Sequence, residues 1–257
     1  MQSNPDEMLG MIADLTAATD PKLRELARRL AGRLMLDLGR SGPTKPRGVG
    51  RMTTLPYQPD AGDLDIDASL DALNELQHGI IPDSNSLRVR GWTKPGVALC
   101  LLVDRSGSMG GKPLATAAIA AAAIACRTPS DYSVLAFGKD VVIAKSQDIE
   151  KSSDAVVNDV LTLRGFGTTD LTGALIVASQ QLSRSRAGRR VAVLLSDCRS
   201  TVEGDVIAAA QSLEEIVIIA PEQDSDEARL LASSVGARLT LISGPSEIPE
   251  ALARVLE

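Results

Sequence analysis

The chain has 257 residues, of which 44% are apolar, 2% aromatic and 23% charged, with a formal net charge of −6. That length allows one full core plus an appendage, built from Ala, Val, Ile and Leu rather than from aromatic rings. The acidic balance gives no reason to expect nucleic acid as a partner, no apolar run reaches bilayer thickness, and three widely spaced cysteines without a CxxC pair argue against a disulfide framework or a zinc knuckle.

The first stretch, MQSNPDEMLGMIADL, lacks the basic start and long apolar segment of a secretory signal. A cytoplasmic location with reduced thiols is therefore expected, with no membrane as partner. Leu9, Ile12 and Leu15 recur at helical spacing, followed by Leu23, Leu26, Leu30, Leu34 and Leu38. Pro21 behind Asp20 opens the second helix and Gly39 closes it, so residues 1–40 form an N-terminal helical segment.

Residues 41–96 read as a linker or arm. The stretch up to 62 is dense in Gly and Pro, a helix is expected over 67–78 and a short strand over 86–92. Charge is segregated here. Basic residues dominate from Lys22 to Arg51, and the charges from Asp60 to Asp83 are all acidic. Two solvated faces explain this, and a docking surface for another protein is the functional alternative.

From Val97 onward the pattern becomes regular. VALCLLVD is a continuous apolar run suited to a strand covered on both faces. Strands are expected at 132–137, 141–146, 191–197, 216–220 and 238–242. Helices are expected at 112–126, 153–163, 171–184, 203–213, 225–235 and 246–256. Cys100 and Cys126 fall within these elements as buried free thiols. Alternating strands and helices argue an α/β, Rossmann-like, doubly wound sheet of six mostly parallel strands. The tight connection at 138–140 makes one edge strand antiparallel. Residues 97–257 form this domain.

In such sheets ligands collect outside the carboxyl ends of the strands. The polar residues expected there are Asp104, Ser106 and Ser108 after the first strand, Thr168, Thr169 and Asp170 in the loop RGFGTTDL, and Asp197 at the end of VAVLLSD. All offer oxygen, which suits a hard divalent cation. The alternation D-x-S-x-S lets one turn aim three side chains at one point, and Gly107, Gly110 and Gly111 relieve the steric limits of such a turn.

DRSGSM, GTTDL and LLSD, in this order, resemble the metal-ion-dependent adhesion site of the von Willebrand factor A domain. The resemblance covers about residues 97–257. It implies that Ser106, Ser108 and Thr169 ligate the metal through hydroxyls, while Asp104 and Asp197 act largely through bound waters. The implied ion is Mg2+, with Mn2+ and Ca2+ as alternatives. The implied partner is a protein that supplies an Asp or Glu to an open coordination position. Asp170 would cap the following helix. Cys198 departs from the pattern, standing where the family often has glycine, so it is expected either to crowd the site or to expose a thiol beside it. The arm preceding the domain resembles that of intracellular members that partner AAA+ ATPases of the MoxR or magnesium-chelatase type.

Enzymatic alternatives find less support. GSMGGKPL lacks the spacing of a phosphate loop, because Ser106 and Pro113 stand where glycine and Ser or Thr are needed. His78 is the single histidine and lies in the arm, away from a serine–histidine–aspartate arrangement. A non-enzymatic binding module is expected. The alternatives are a phosphoesterase-like hydrolase using the same metal to activate water and a structural domain with a vestigial site.

Overall fold

The computed structural model describes residues 5–16, 51–56, 63–77, 87–93, 96–105, 111–128, 131–163 and 167–255. The chain divides into two units, Arg47–Gly96 and the remainder, Met1–Pro46 with Val97–Glu257. The predicted helix with Leu23 to Leu38, His78, and most of the basic stretch (22–50) lie outside the described residues.

The smaller unit is a three-stranded antiparallel sheet. Strand β3 (Arg88–Thr93) runs between β1 (Arg51–Pro56) and β2 (Asp63–Leu64). Helix α2 (Leu70–Gln77) follows a single 3-10 turn at Asp67–Ser69. Buried Asp65 pins the turn to the sheet. It accepts hydrogen bonds from the Thr54 hydroxyl (2.7 Å), Ala68 N (3.2 Å) and Arg90 Nε (3.1 Å). The sequence predicts one strand in this region and the structure has three. β1 lies where Gly and Pro density predicted only an extended linker, and β2 is two residues long, too short to leave a periodic signature.

The larger unit contains helix α1 (Pro5–Leu15), β4 (Val97–Asp104), α3 (Gly111–Arg127), β5 (Tyr132–Phe137), β6 (Val141–Lys145), α4 (Ser153–Thr162) and α5 (Leu171–Leu182). It continues with β7 (Arg189–Leu195), α6 (Val206–Gln211), β8 (Glu215–Pro221), α7 (Asp226–Val235), β9 (Arg238–Ile242) and α8 (Ile248–Val255). The strand order is β6-β5-β4-β7-β8-β9. Five strands are parallel, and the edge strand β6 is antiparallel to β5, as the sequence predicts.

Alternation along β4 feeds two cores. Leu99, Leu101 and Val103 join the cluster on one face, and Ala98, Cys100 and Leu102 the cluster on the other. Helix α3 is buried almost all round from Leu114 to Ala125, because α1, α4 and α8 pack about it and alanine lets their backbones approach. Cys126 departs from expectation. It sits in the last turn of α3 and is exposed, whereas Cys100 and Cys198 are buried.

Helix α1 packs on α3 through Leu9 and Ala13. It is tied at both ends. Ser246 N donates to Asp6 Oδ1 (3.0 Å), and the Thr16 hydroxyl donates to the carbonyls of Ala13 (2.7 Å) and Leu161 (3.3 Å). At the amino ends of the strands, Glu215 accepts two hydrogen bonds from Arg189 (2.7 and 2.8 Å) and pairs with Arg238. Both guanidiniums also donate to the Val255 carbonyl at the end of α8. Among the described residues no helix is long and apolar enough to cross a membrane.

Candidate metal centre

Strand β4 is central, with β5 on one side and β7 on the other, so the strand order reverses direction at its carboxyl end. The pairing of Val103 with Leu195 sets Asp104 level with Ser196 across the strands. The Ser196 hydroxyl donates to Asp104 Oδ2 (2.5 Å) and accepts from Cys198 N (2.8 Å). One serine thus fixes a carboxylate of β4 and the backbone that follows β7. Sequence reasoning missed Ser196, because its only local signal is a hydroxyl just before Asp197.

Asp104 and Asp197 line one cleft of about 380 Å3. The Asp197 carboxyl is held above the ordinary aspartate range, first by burial and also by the negative charge of Asp104 and Asp224, against a lowering hydrogen bond from Arg199 N (3.0 Å). The Arg199 guanidinium reaches Asp224 (2.5 Å).

Thr169 is buried, at 2% exposure. Its N–H donates to the Thr201 hydroxyl (2.7 Å), and its carbonyl accepts from Thr201 N (3.0 Å) and the Ser200 hydroxyl (3.2 Å). The threonine loop and the loop after Asp197 are therefore one hydrogen-bonded piece, although Thr169 does not line the cleft. Asp170 caps α5 by accepting from Gly173 N (2.8 Å). A Cβ on Gly173 would lie 2.4 Å from Asp170 Oδ2, so the cap requires glycine there. Ser106 and Ser108 lie outside the described residues.

Two residues inside the motifs turn away from the cleft. Arg105 packs toward the turn between β5 and β6, donating through Nη2 to the Asp140 carbonyl (3.2 Å). Cys198 has φ 66°, the one non-glycine residue in the left-handed region among the described residues, which accounts for glycine as the alternative there. It neither crowds the cleft nor exposes its thiol. The side chain packs with the core cluster of Leu102 and Leu194, and burial pushes the thiol pKa up to about 12.

Among the described residues no group of three His, Cys, Asp or Glu side chains is arranged to hold a metal. The cleft brings together the carboxylates of Asp104 and Asp197 and the hydroxyl of Ser196, oxygen donors of the kind a hard divalent ion takes.

The larger unit is a Rossmann-like α/β domain with a cleft at the carboxyl ends of its strands. The family model of the von Willebrand factor type A domain matches residues 99–200, which lie within the larger unit. Among solved structures, a von Willebrand factor type A protein from Catenulispora acidiphila aligns with a TM-score of 0.51 at 20% identity, over 66% of this chain and 43% of that one. Proximal thread matrix protein 1 from the mussel byssus, solved with a zinc-occupied metal-ion-dependent adhesion site, aligns with a TM-score of 0.51 at 14% identity, over 62% and 47%. BatB from Bacteroides thetaiotaomicron aligns with a TM-score of 0.51 at 13% identity, over 62% and 96%. This chain spans under half the length of the first two. A comparison with curated protein sequences gave no match.

Proposed function

We propose that the chain is a metal-dependent protein-binding module without catalytic activity of its own. Asp104, Ser106, Ser108, Thr169 and Asp197 hold Mg2+, and an Asp or Glu of a partner protein completes its coordination. The ion supplies a positive charge in a partly buried site, where an incoming carboxylate is screened less than in water. The chain's own part is positional. Ser196 fixes Asp104, and hydrogen bonds with Ser200 and Thr201 tie the Thr169 backbone to the loop that follows Asp197. The observation that carries this reading is the convergence of Asp104 and Asp197 from adjacent parallel strands on one cleft.

The module works in the cytoplasm with an AAA+ ATPase of the MoxR or magnesium-chelatase type, which hydrolyses ATP while this chain recognises the target. The sequence of the arm supports that assignment, together with the absence of a phosphate loop in this chain. The test is co-purification in Mg2+ and in chelator. An ATPase retained in Mg2+, released by EDTA and absent with Asp104→Ala is the expected result. Retention that ignores both chelator and variant contradicts it.

A further inference from the structure

The cleft beside Asp104 and Asp197 extends well past the two carboxylates. Val103, Leu195 and Ile242, at the ends of β4, β7 and β9, line it with Pro113, Thr116 and Pro245, and Lys112, Gln223 and Ser243 add polar groups. Its volume of about 380 Å3 is more than twice the roughly 150 Å3 that accommodates a benzene ring, so it exceeds the needs of a carboxylate alone. Val103, Leu195 and Ile242 are core residues, each under 10% exposed.

The walls are fixed from behind. Helix α3 is packed into the core, and the Gly244–Pro245 turn is held by Asp6 of α1. A Cβ on Gly244 would lie 2.1 Å from Asp6 Oδ2, so the carboxylate sits directly on the glycine. Ser243 N adds a bond to Glu247 Oε2 (3.0 Å). A preformed cleft that joins apolar lining to fixed polar groups is the ordinary form of a specificity site.

We infer that this cleft is an apolar subsite that selects partner segments in which the acidic residue stands beside a large aliphatic or aromatic residue. The carboxylate end of such a segment rests on the metal reading above, and its side-chain neighbour fills the space over Val103, Leu195 and Ile242. Burying that neighbour against a prebuilt wall adds affinity in proportion to its apolar area, and it distinguishes this segment from an isolated surface Asp or Glu.

The test uses the full chain in Mg2+ and three carboxylate probes of increasing tail size: acetate, 4-methylpentanoate and 3-phenylpropionate. Affinities are read from NMR shift titrations. The expected result is at least tenfold tighter binding of 3-phenylpropionate than of acetate, with both lost in EDTA. Thr116→Phe, and Thr116→Leu should the larger ring disturb the fold, narrows the cleft and removes the tail preference while leaving acetate affinity unchanged. Equal affinity for all three probes, with binding still lost in EDTA, overturns the apolar subsite and leaves the metal reading standing. Tail-dependent binding that persists in EDTA, or no binding of any probe in Mg2+, overturns the metal reading and the two-part ligand with it.

Discussion

The two ends of the six-stranded sheet treat charge in opposite ways. At the amino ends, Glu215 lies between Arg189 and Arg238, and both guanidiniums also satisfy the last carbonyls of α8. The Glu215 carboxyl is held below the ordinary glutamate range, first by its hydrogen bond from Arg189. At the carboxyl ends, Asp104 and Asp197 line one cleft, and burial, with the negative charge of Asp104 and Asp224, holds Asp197 above the ordinary range. Compensated charge at one end stabilises the fold. At the other end burial and nearby carboxylates disfavour the charged form of Asp197, and the cation proposed to bind there would offset that cost.

Substitutions at each end sharpen that contrast. The largest effect belongs to Asp104→Ala, which lowers Mg2+ affinity by on the order of 10- to 100-fold and abolishes Mg2+-dependent partner binding, while the far-UV circular dichroism spectrum stays that of the native fold. Calorimetric titration and circular dichroism read both. At the opposite end, Arg189→Ala lowers the unfolding free energy by about 2 kcal/mol, because a charge-assisted pair and a helix-capping bond are lost from a site that is only part-buried. Chemical denaturation measures this, and Mg2+ binding does not change.

Smaller effects lie in the pH dependence. The pKa of Glu215 is depressed, so its contribution is full above the unfolded glutamate value and is lost as pH falls through the folded one. That of Asp197 is raised, so the folded metal-free protein binds its proton more tightly than the unfolded chain. Its contribution therefore declines as pH rises from the ordinary aspartate range through the raised value. Asp197→Asn removes that decline in chelator, and saturating Mg2+ removes it in the wild type. Thermal unfolding between pH 3 and 7 distinguishes the two ends. The smallest effect is that of Cys198→Gly. Relief of the left-handed backbone, worth about 1 kcal/mol, is offset by lost burial and greater freedom of the unfolded chain, so stability changes little and Mg2+ affinity is retained.

How much of this was legible in the sequence follows from the range of the interactions. VALCLLVD revealed a strand covered on both faces because each residue carries its own burial signal, and Asp170 revealed a cap because its partner, Gly173, is three residues away. Ser196 remained hidden because its partner Asp104 is 92 residues away and depends on the register of β4 against β7. The docking of α1 was equally hidden, since Asp6 meets Ser246 across 240 residues. Local composition misread β1, whose neighbouring glycines and prolines masked a strand completed only by pairing with β3. Cys126 was misplaced because an alanine-rich stretch has no polar face to mark which side of the last helical turn looks outward.

The most direct measurement is a titration of metal-free protein with Mn2+, followed by electron paramagnetic resonance of the free ion. One ion bound per chain in the wild type is expected, with binding lost in Thr169→Val and in the double variant Ser106→Ala, Ser108→Ala. No stoichiometric binding in the wild type, or full binding retained in both variants, contradicts a metal centre assembled from these three segments.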